Sequence, residues 1–423
     1  MPVMKPLYTA ARTLSVATAL TVIFAGSAYA LDGNDVAKRL QARFEEQGAK
    51  IEFGKVDTDG STITLRDTKV DFKTSDVGQI TVGDVVLKDV AEDGKGGYTA
   101  ETATLQDIEK TEDKATFKVK GIEIGKLHLA ADDEQDPVVK MMYYQSMKAD
   151  SVTIAEDGQE MVAMKDLYAS TNPYTKGSPI LVNFGVKSID LDLEKMEDVR
   201  KKNEEASKAE TPDSDADATE DEAATPNPML DLGYKKLNMV VTSTAAWEPE
   251  KGDFSIDKME FDVKDLGKFD TTFKLGGYDV KFVKSVQQAT EQLSASKENS
   301  DAASMAMLGL IQQLSVSDIK ISYDDQSLTP KLLDYYAKQQ GIGRDDMVNQ
   351  IKGIAPLMVG FLGHADFAVQ ATNAINAYLD DPKSITVAAQ PQAPVSFALI
   401  AATATAEPKK LLDLLNVKIT ANK

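Results

Sequence analysis

The sequence predicts an α+β fold: large, twisted antiparallel sheets packed against apolar helices, with a mainly helical C-terminal part. Three observations predict it. Apolar and polar residues alternate in short runs from about Ile51 to Glu194 and again from Leu237 to Leu275, as in strands that cover one face. From Val283 onward the apolar spacing lengthens to three and four, the helical period. Between the two alternating regions lies an acidic tract with no apolar period.

Residues 1–30 read as a secretory leader. Lys5 and Arg12 precede an apolar run from Leu14 to Phe24, and Ala28-Tyr29-Ala30 is a small-x-small cleavage site. The run is shorter than the roughly 20 apolar residues needed to span a bilayer. The expectation is cleavage after Ala30, a mature chain from Leu31, a periplasmic location and no remaining transmembrane segment. The chain has no cysteine, so no lipid-anchoring cysteine follows the cleavage site and no disulfide staples the mature protein.

Residues 31–194 are read as an N-terminal helix followed by an antiparallel sheet. Asn34 or Asp35 is the expected N-cap. Val36, Leu40 and Phe44 then share one face, and Gly48 ends the helix. Asp59-Gly60 sits between alternating runs and marks a hairpin turn. Residues 195–228 begin helically and then form an acidic, disordered linker. From Glu204 to Glu222 there are nine acidic residues and one lysine, with no apolar anchor to offset the cost of ordering.

Residues 229–328 form a second β-rich region with an inserted helix pair, Val283–Leu293 and Ala302–Leu314. The resumed alternation suggests that the linker interrupts one continuous sheet system; two related halves are the alternative. The second helix, with Met305, Leu308 and Ile311, is apolar on nearly every face and is expected to be buried. Residues 329–423 are mainly helical. Thr329-Pro330 opens one helix, Arg344–Leu362 and Asp366–Leu379 follow with a bend at Pro356, and short strands are expected at Ile385–Val387 and Val417–Ile419.

The formal net charge is −20, and loss of the leader makes it more negative. Such a charge repels phosphate backbones and excludes nucleic acid as a partner. With two histidines far apart, His128 and His364, and no cysteine, the usual zinc and copper ligand sets are missing. Asp57-Thr58-Asp59-Gly60 imitates the start of a calcium loop, but its twelfth position is Thr68 rather than glutamate. His128 alternates with Leu127 and Leu129 and is expected to be a solvated sheet residue; His364 is expected to cap or turn. No nucleophile elbow or phosphate-binding loop occurs. No catalytic, cofactor-binding or metal-binding residue is therefore assigned, and no cofactor is expected. The long one-faced sheets and methionine-rich helices make a large apolar surface: an ordinary core, or a groove for an acyl chain.

The stretch Gly83 to Asp107, a turn-led strand followed by Gly97-Tyr98 and another alternating strand, resembles the sheet repeats of AsmA-like envelope proteins, as does Gly252 to Gly277. The block Leu328 to Gly341 resembles the C-terminal part of uncharacterised exported alphaproteobacterial proteins. The resemblance implies a β-rich envelope protein connected with lipid. AsmA-like proteins are usually longer and membrane-anchored, and here the chain departs from them. The function expected is that of a non-catalytic periplasmic protein binding a lipidic or apolar ligand in cell-envelope maintenance. The alternatives are a structural module that pairs with another envelope protein, and a hydrolase.

Overall fold

Alternating side chains leave each strand with one apolar face, and strands of this kind extend a common sheet as long as neighbours present the same face. The computed structural model describes residues 31–46, 48–72, 79–141, 144–210, 227–295 and 300–423. The fold is α+β and mostly β: among the described residues nineteen strands form a single sheet, and eleven α-helices accompany it. Every described pairing is antiparallel.

The chain opens with α1 (Gly33–Glu46), followed by β1 (Ala49–Glu52), β2 (Lys55–Asp59), β3 (Thr62–Phe72), β4 (Gln79–Lys88), β5 (Ala91–Glu92) and β6 (Tyr98–Leu105). Next come β7 (Ile108–Glu112), β8 (Ala115–Lys120), β9 (Glu123–Leu129) and the short α2 (Pro137–Met141). Three long strands follow: β10 (Ser146–Glu156), β11 (Gln159–Thr171) and β12 (Ile180–Asp192). In space β1 and β2 both pair with β3. The sheet then runs through β4, β6 and β9 to β10, with β8 extending beside β9 on the same edge of β10.

α1 lays its apolar face on this first part. Val36, Leu40, Ile63, Leu65 and Leu87 are almost fully buried together. At about 1.5–3 kcal/mol per buried aliphatic side chain, this cluster dominates local stability. Asp32, rather than Asn34 or Asp35, caps the helix: its carboxylate accepts from the backbone N–H of Asn34 (3.0 Å) and Asp35 (3.3 Å). The Asp59-Gly60 turn joins β2 to β3 as expected, with Gly60 at a φ of 58° that glycine tolerates freely.

Beyond β12 lie α3 (Leu193–Glu210) and α4 (Pro228–Asp231), then β13 (Lys236–Glu248), β14 (Asp253–Val263) and β15 (Gly267–Gly276). The helical start expected of residues 195–228 extends as far as Glu210, and Val199 is buried against Ile154, Met161 and Val162. Burial of Leu193 and Val199, with Arg200 paired to Glu197 and Glu204, holds the first part of this helix. The remainder of the acidic tract, residues 211–226, lies outside the described residues. β12 pairs directly with β13, from Ile180↔Trp247 to Asp192↔Lys236, so everything between them is an insertion in one sheet. Both anchors of the insertion, Val199 and the β12–β13 register, are set without residues 211–226. Replacing 211–226 by a short Gly/Ser linker is therefore expected to leave the melting temperature within a few degrees of the parent. The loop-closure change costs only about 0.6 kcal/mol per doubling of length. Thermal unfolding of the two proteins side by side checks this.

The C-terminal part contains α5 (Val280–Ala295), α6 (Ser300–Ile311), β16 (Ser315–Asp325), α7 (Leu328–Gln339), α8 (Arg344–Gly360) and α9 (Ala365–Asp380). It ends with β17 (Ser384–Ala389), β18 (Val395–Ser396), α10 (Phe397–Ala406), α11 (Leu411–Leu414) and β19 (Val417–Ala421). The sheet continues β13–β14–β15–β16–β17–β19. Two expectations change here. α6 is not buried: Met305 is 73% exposed and Leu308 54%. An apolar composition favours burial, but α6 packs mainly against α5, and one neighbouring helix covers only one stripe. α10, which lacks the amphipathic period that marks surface helices, was not expected.

Candidate apolar binding groove

Register decides what the sheet presents. Across the strands, Leu167 stands opposite Val186, and the row continues through Val241, Phe261, Phe269, Tyr323 and Ile385. A second row runs Phe184, Ser243, Met259, Thr271, Ile321, Val387 and Ile419, and a third runs Val182, Ala245, Ile256, Phe273 and Ile319. Alternation along each strand puts the three rows on one face. A bulge shifts the alternation by one residue, and an apolar spacing of three at the bulge keeps the next apolar side chain on the same face. The register shifts at Val186/Ile189 in β12, between Ile256 and Met259 in β14, and near Val316 in β16. Each shift inserts a polar pair: Lys187-Ser188, Asp257-Lys258 and Ser317-Asp318. Two consecutive residues face away, and the next apolar residue returns to the same face.

At the α1 end this face bounds a cavity of 270 Å³. Phe44 of α1, Val82, Phe117, Val152, Leu167 and Phe184 are among its lining residues. The volume approaches the roughly 300–1,000 Å³ of small-molecule sites. The lining is almost wholly apolar. Thr68, fully buried, spends its hydroxyl on the carbonyl of Leu65 at 3.0 Å, and the exposed Lys148 bordering the site pairs with Glu123 at 3.1 Å.

Burial is lower on β15–β17 than on β11–β13, although Tyr323, Ile385 and Ile419 remain partly covered. Val186 and Val241 are buried, Phe261 is half-buried, and Phe269, Ile321 and Val387 are each about 40% exposed (39%, 42% and 41%). The apolar face thus passes from a partly open cavity under α1 to a partly exposed surface on β15–β17. The strand ends are closed by different elements. At one end Val138 of α2, Tyr174 and Ile180 pack with Trp247 and Val280, and the Trp247 indole donates to the carbonyl of Tyr278 at 2.6 Å. At the other, Leu193, Leu232 and Tyr234 pack with Leu266, Leu328 and Leu332. α5 runs from the Trp247 corner toward α1, where the Gln287 amide donates to the carbonyl of Glu46.

The two histidines lie far from one another in the architecture. His128 is not solvated as expected. It is 14% exposed, with Nε2 2.9 Å from Asp93. Burial opposes ionisation of Asp93, but His128 and the backbone N–H groups of Lys95 and Gly97 outweigh it and hold the carboxyl below its usual range. This pair braces the turn before β6. Asp57 is engaged by Lys55 and Arg66, which hold its carboxyl low, so the calcium-like phrase is a braced hairpin.

His364 caps α9 as expected, its Nδ1 accepting from the N–H of Phe367 at 3.1 Å while Nε2 meets Asp413 at 2.7 Å. The Asp413 hydrogen bond and charge raise the pKa of His364 above its ordinary value. A raised folded-state pKa means the pair's contribution to stability is complete below the unfolded value, about 6.5, and is lost as pH rises through the folded value. An NMR titration is expected to place His364 above about 6.5, and Asp413→Asn to lower it. Among the described residues, no group of three or more His, Asp or Glu side chains is arranged to hold a metal. No described helix is long and apolar enough to cross a membrane.

Residues 260–422, from β14 to β19, match the model of a family described as "Uncharacterized protein". No curated protein matches the chain.

Proposed function

We propose that this chain is an exported, non-catalytic periplasmic protein that binds a lipidic ligand by its acyl chain, within the groove between α1 and the apolar sheet face. One observation carries the reading. Three mainly apolar rows, interrupted in the second by Ser243 and Thr271, run across the sheet, roofed by α1 at one end and partly exposed at β15–β17. A face kept mainly apolar through three compensating bulges, yet left partly exposed by the protein's own core, suits a long flexible hydrocarbon better than a compact polar metabolite. Export rests on the leader read in residues 1–30.

Native mass spectrometry of the protein isolated from the periplasm is expected to show a co-purifying lipid, and a fluorescent fatty acid is expected to bind. Absence of both overturns the lipid reading. The mature N-terminus is expected at Leu31; sequencing that finds Met1 retained overturns export with cleavage. A second reading, pairing with another envelope protein, draws on β19, which among the described residues pairs on one side alone, with β17. Cross-linking in intact cells separates the two.

A further inference from the structure

We infer that the tip of the α8–α9 hairpin, together with α10, docks this protein on a lipid bilayer by shallow apolar insertion. Along α8 and into the turn that follows it, Ile354, Leu357, Met358, Phe361 and Leu362 recur at i, i+3, i+4, i+7 and i+8, the spacing that ordinarily faces a core. Here it faces outward, with Leu357 and Met358 63% exposed and Phe361 76%. The buried residues are Ala355 and Val359, on an adjoining face, and Met347 near the start of the helix, two turns before the exposed stripe. α8 is therefore apolar on two sides and packed on one.

α10 adds a second unpartnered element at the same place. The α8–α9 turn abuts the segment that follows α10: the Lys409 side chain packs directly on Gly363, and His364 pairs with Asp413. α10 reads Phe-Ala-Leu-Ile-Ala-Ala-Thr-Ala-Thr-Ala and has no buried residue.

Charge identifies the occupant. Charged residues make up 27% of the chain, yet Gly353–Gly363 contains none, nor does Ser384–Ala406. A protein groove that grips a helix covers one stripe and rims it with polar contacts. The nearest charges, the His364–Asp413 pair and Lys409, sit at the turn, whereas the outer face of α8 and the whole of α10 carry none. Uncharged hydrocarbon is the complement. Lys409 stands at its base, where a long cationic stem can reach the headgroup layer, while Lys352 is paired with Asp380. The hairpin is too short to span, so insertion is shallow, about 5–10 Å. α10 follows directly on β18, which pairs with β16 in the partly exposed part of the sheet. The inference goes beyond the ligand reading and does not depend on it.

The test is flotation of the full mature chain with vesicles of pure phosphatidylcholine, and of phosphatidylcholine mixed with phosphatidylglycerol. Binding is expected on the zwitterionic vesicles and should persist at high salt. Phosphatidylglycerol should weaken it at low salt, because the chain carries a net charge of −20. Leu357→Asp and Phe361→Asp should each lower the partition about tenfold or more, with unchanged melting because both residues are exposed. Both variants should still bind a fluorescent fatty acid, whereas Ala149→Trp, inside the groove, should still float. Failure of the parent to float overturns the inference. So does binding that requires anionic lipid and vanishes with salt, which is surface adsorption. Self-association in the absence of vesicles that Phe361→Asp abolishes also overturns it, and assigns the patch to a second copy.

Discussion

Ala149→Trp is expected to abolish uptake of a fluorescent acyl probe while the protein stays folded. Ala149 lies in β10 opposite Leu167 and lines the cavity under α1. An indole has few other places to go there, and a buried tryptophan covers about 150–250 Å². If it displaces about four methylenes of a bound chain, at ~0.8 kcal/mol each, about 3 kcal/mol of binding is lost. That is more than a hundredfold in affinity. Overpacking costs about 1–3 kcal/mol of stability, so the variant should melt lower and still unfold cooperatively. Lys148→Ala is the matched control, because its side chain is exposed and paired with Glu123; it should bind the probe like the parent. Equal uptake by Ala149→Trp and parent would place any acyl site elsewhere.

Much of this architecture was legible from alternation alone. The strands around Ile63–Leu65, Val85–Leu87 and Leu127–Leu129 announce themselves, because each is a short period-two run with a turn residue at its end. The fold class follows directly from such runs. What alternation could not reveal is the common face. In β12, β14 and β16 the apolar spacing jumps from two to three at Val186–Ile189, Ile256–Met259 and Val316–Ile319. A bulge and a change of face look the same until pairing partners are known. The groove therefore became visible only once register placed Phe261 beside Phe269 and Ile321 beside Val387. The exposure of α6 and α8 was hidden for a related reason. Composition says that Met305 or Phe361 prefers burial, but whether a neighbour supplies that burial is a tertiary fact. His128 was misread because Asp93, its partner, lies 35 residues away in a turn.

Truncating the same sheet at its two ends should give very unequal penalties. Leu65 on β3 is fully buried beneath α1, in contact with the cluster that includes Val36, Leu40 and Leu87. Leu65→Ala removes that contact and leaves a cavity that close packing cannot collapse, at a cost of about 2–5 kcal/mol. Against a total stability of roughly 5–15 kcal/mol, this variant should unfold at markedly lower denaturant. Ile321 on β16 has a similar volume and lies between Thr271 and Val387 in the apolar rows, but it is 42% exposed. Ile321→Ala gives up burial that was only partial and leaves no sealed cavity, so about 1 kcal/mol or less is expected. The pair should behave differently again with ligand. A bound acyl chain that reaches the β16 end covers Ile321, so the alanine variant should lose affinity there while keeping its stability without ligand. Denaturant midpoints of the two variants, measured after delipidation, decide the point. Penalties of equal size would mean that the β15–β17 face is a packed core, and the groove would end beneath α1.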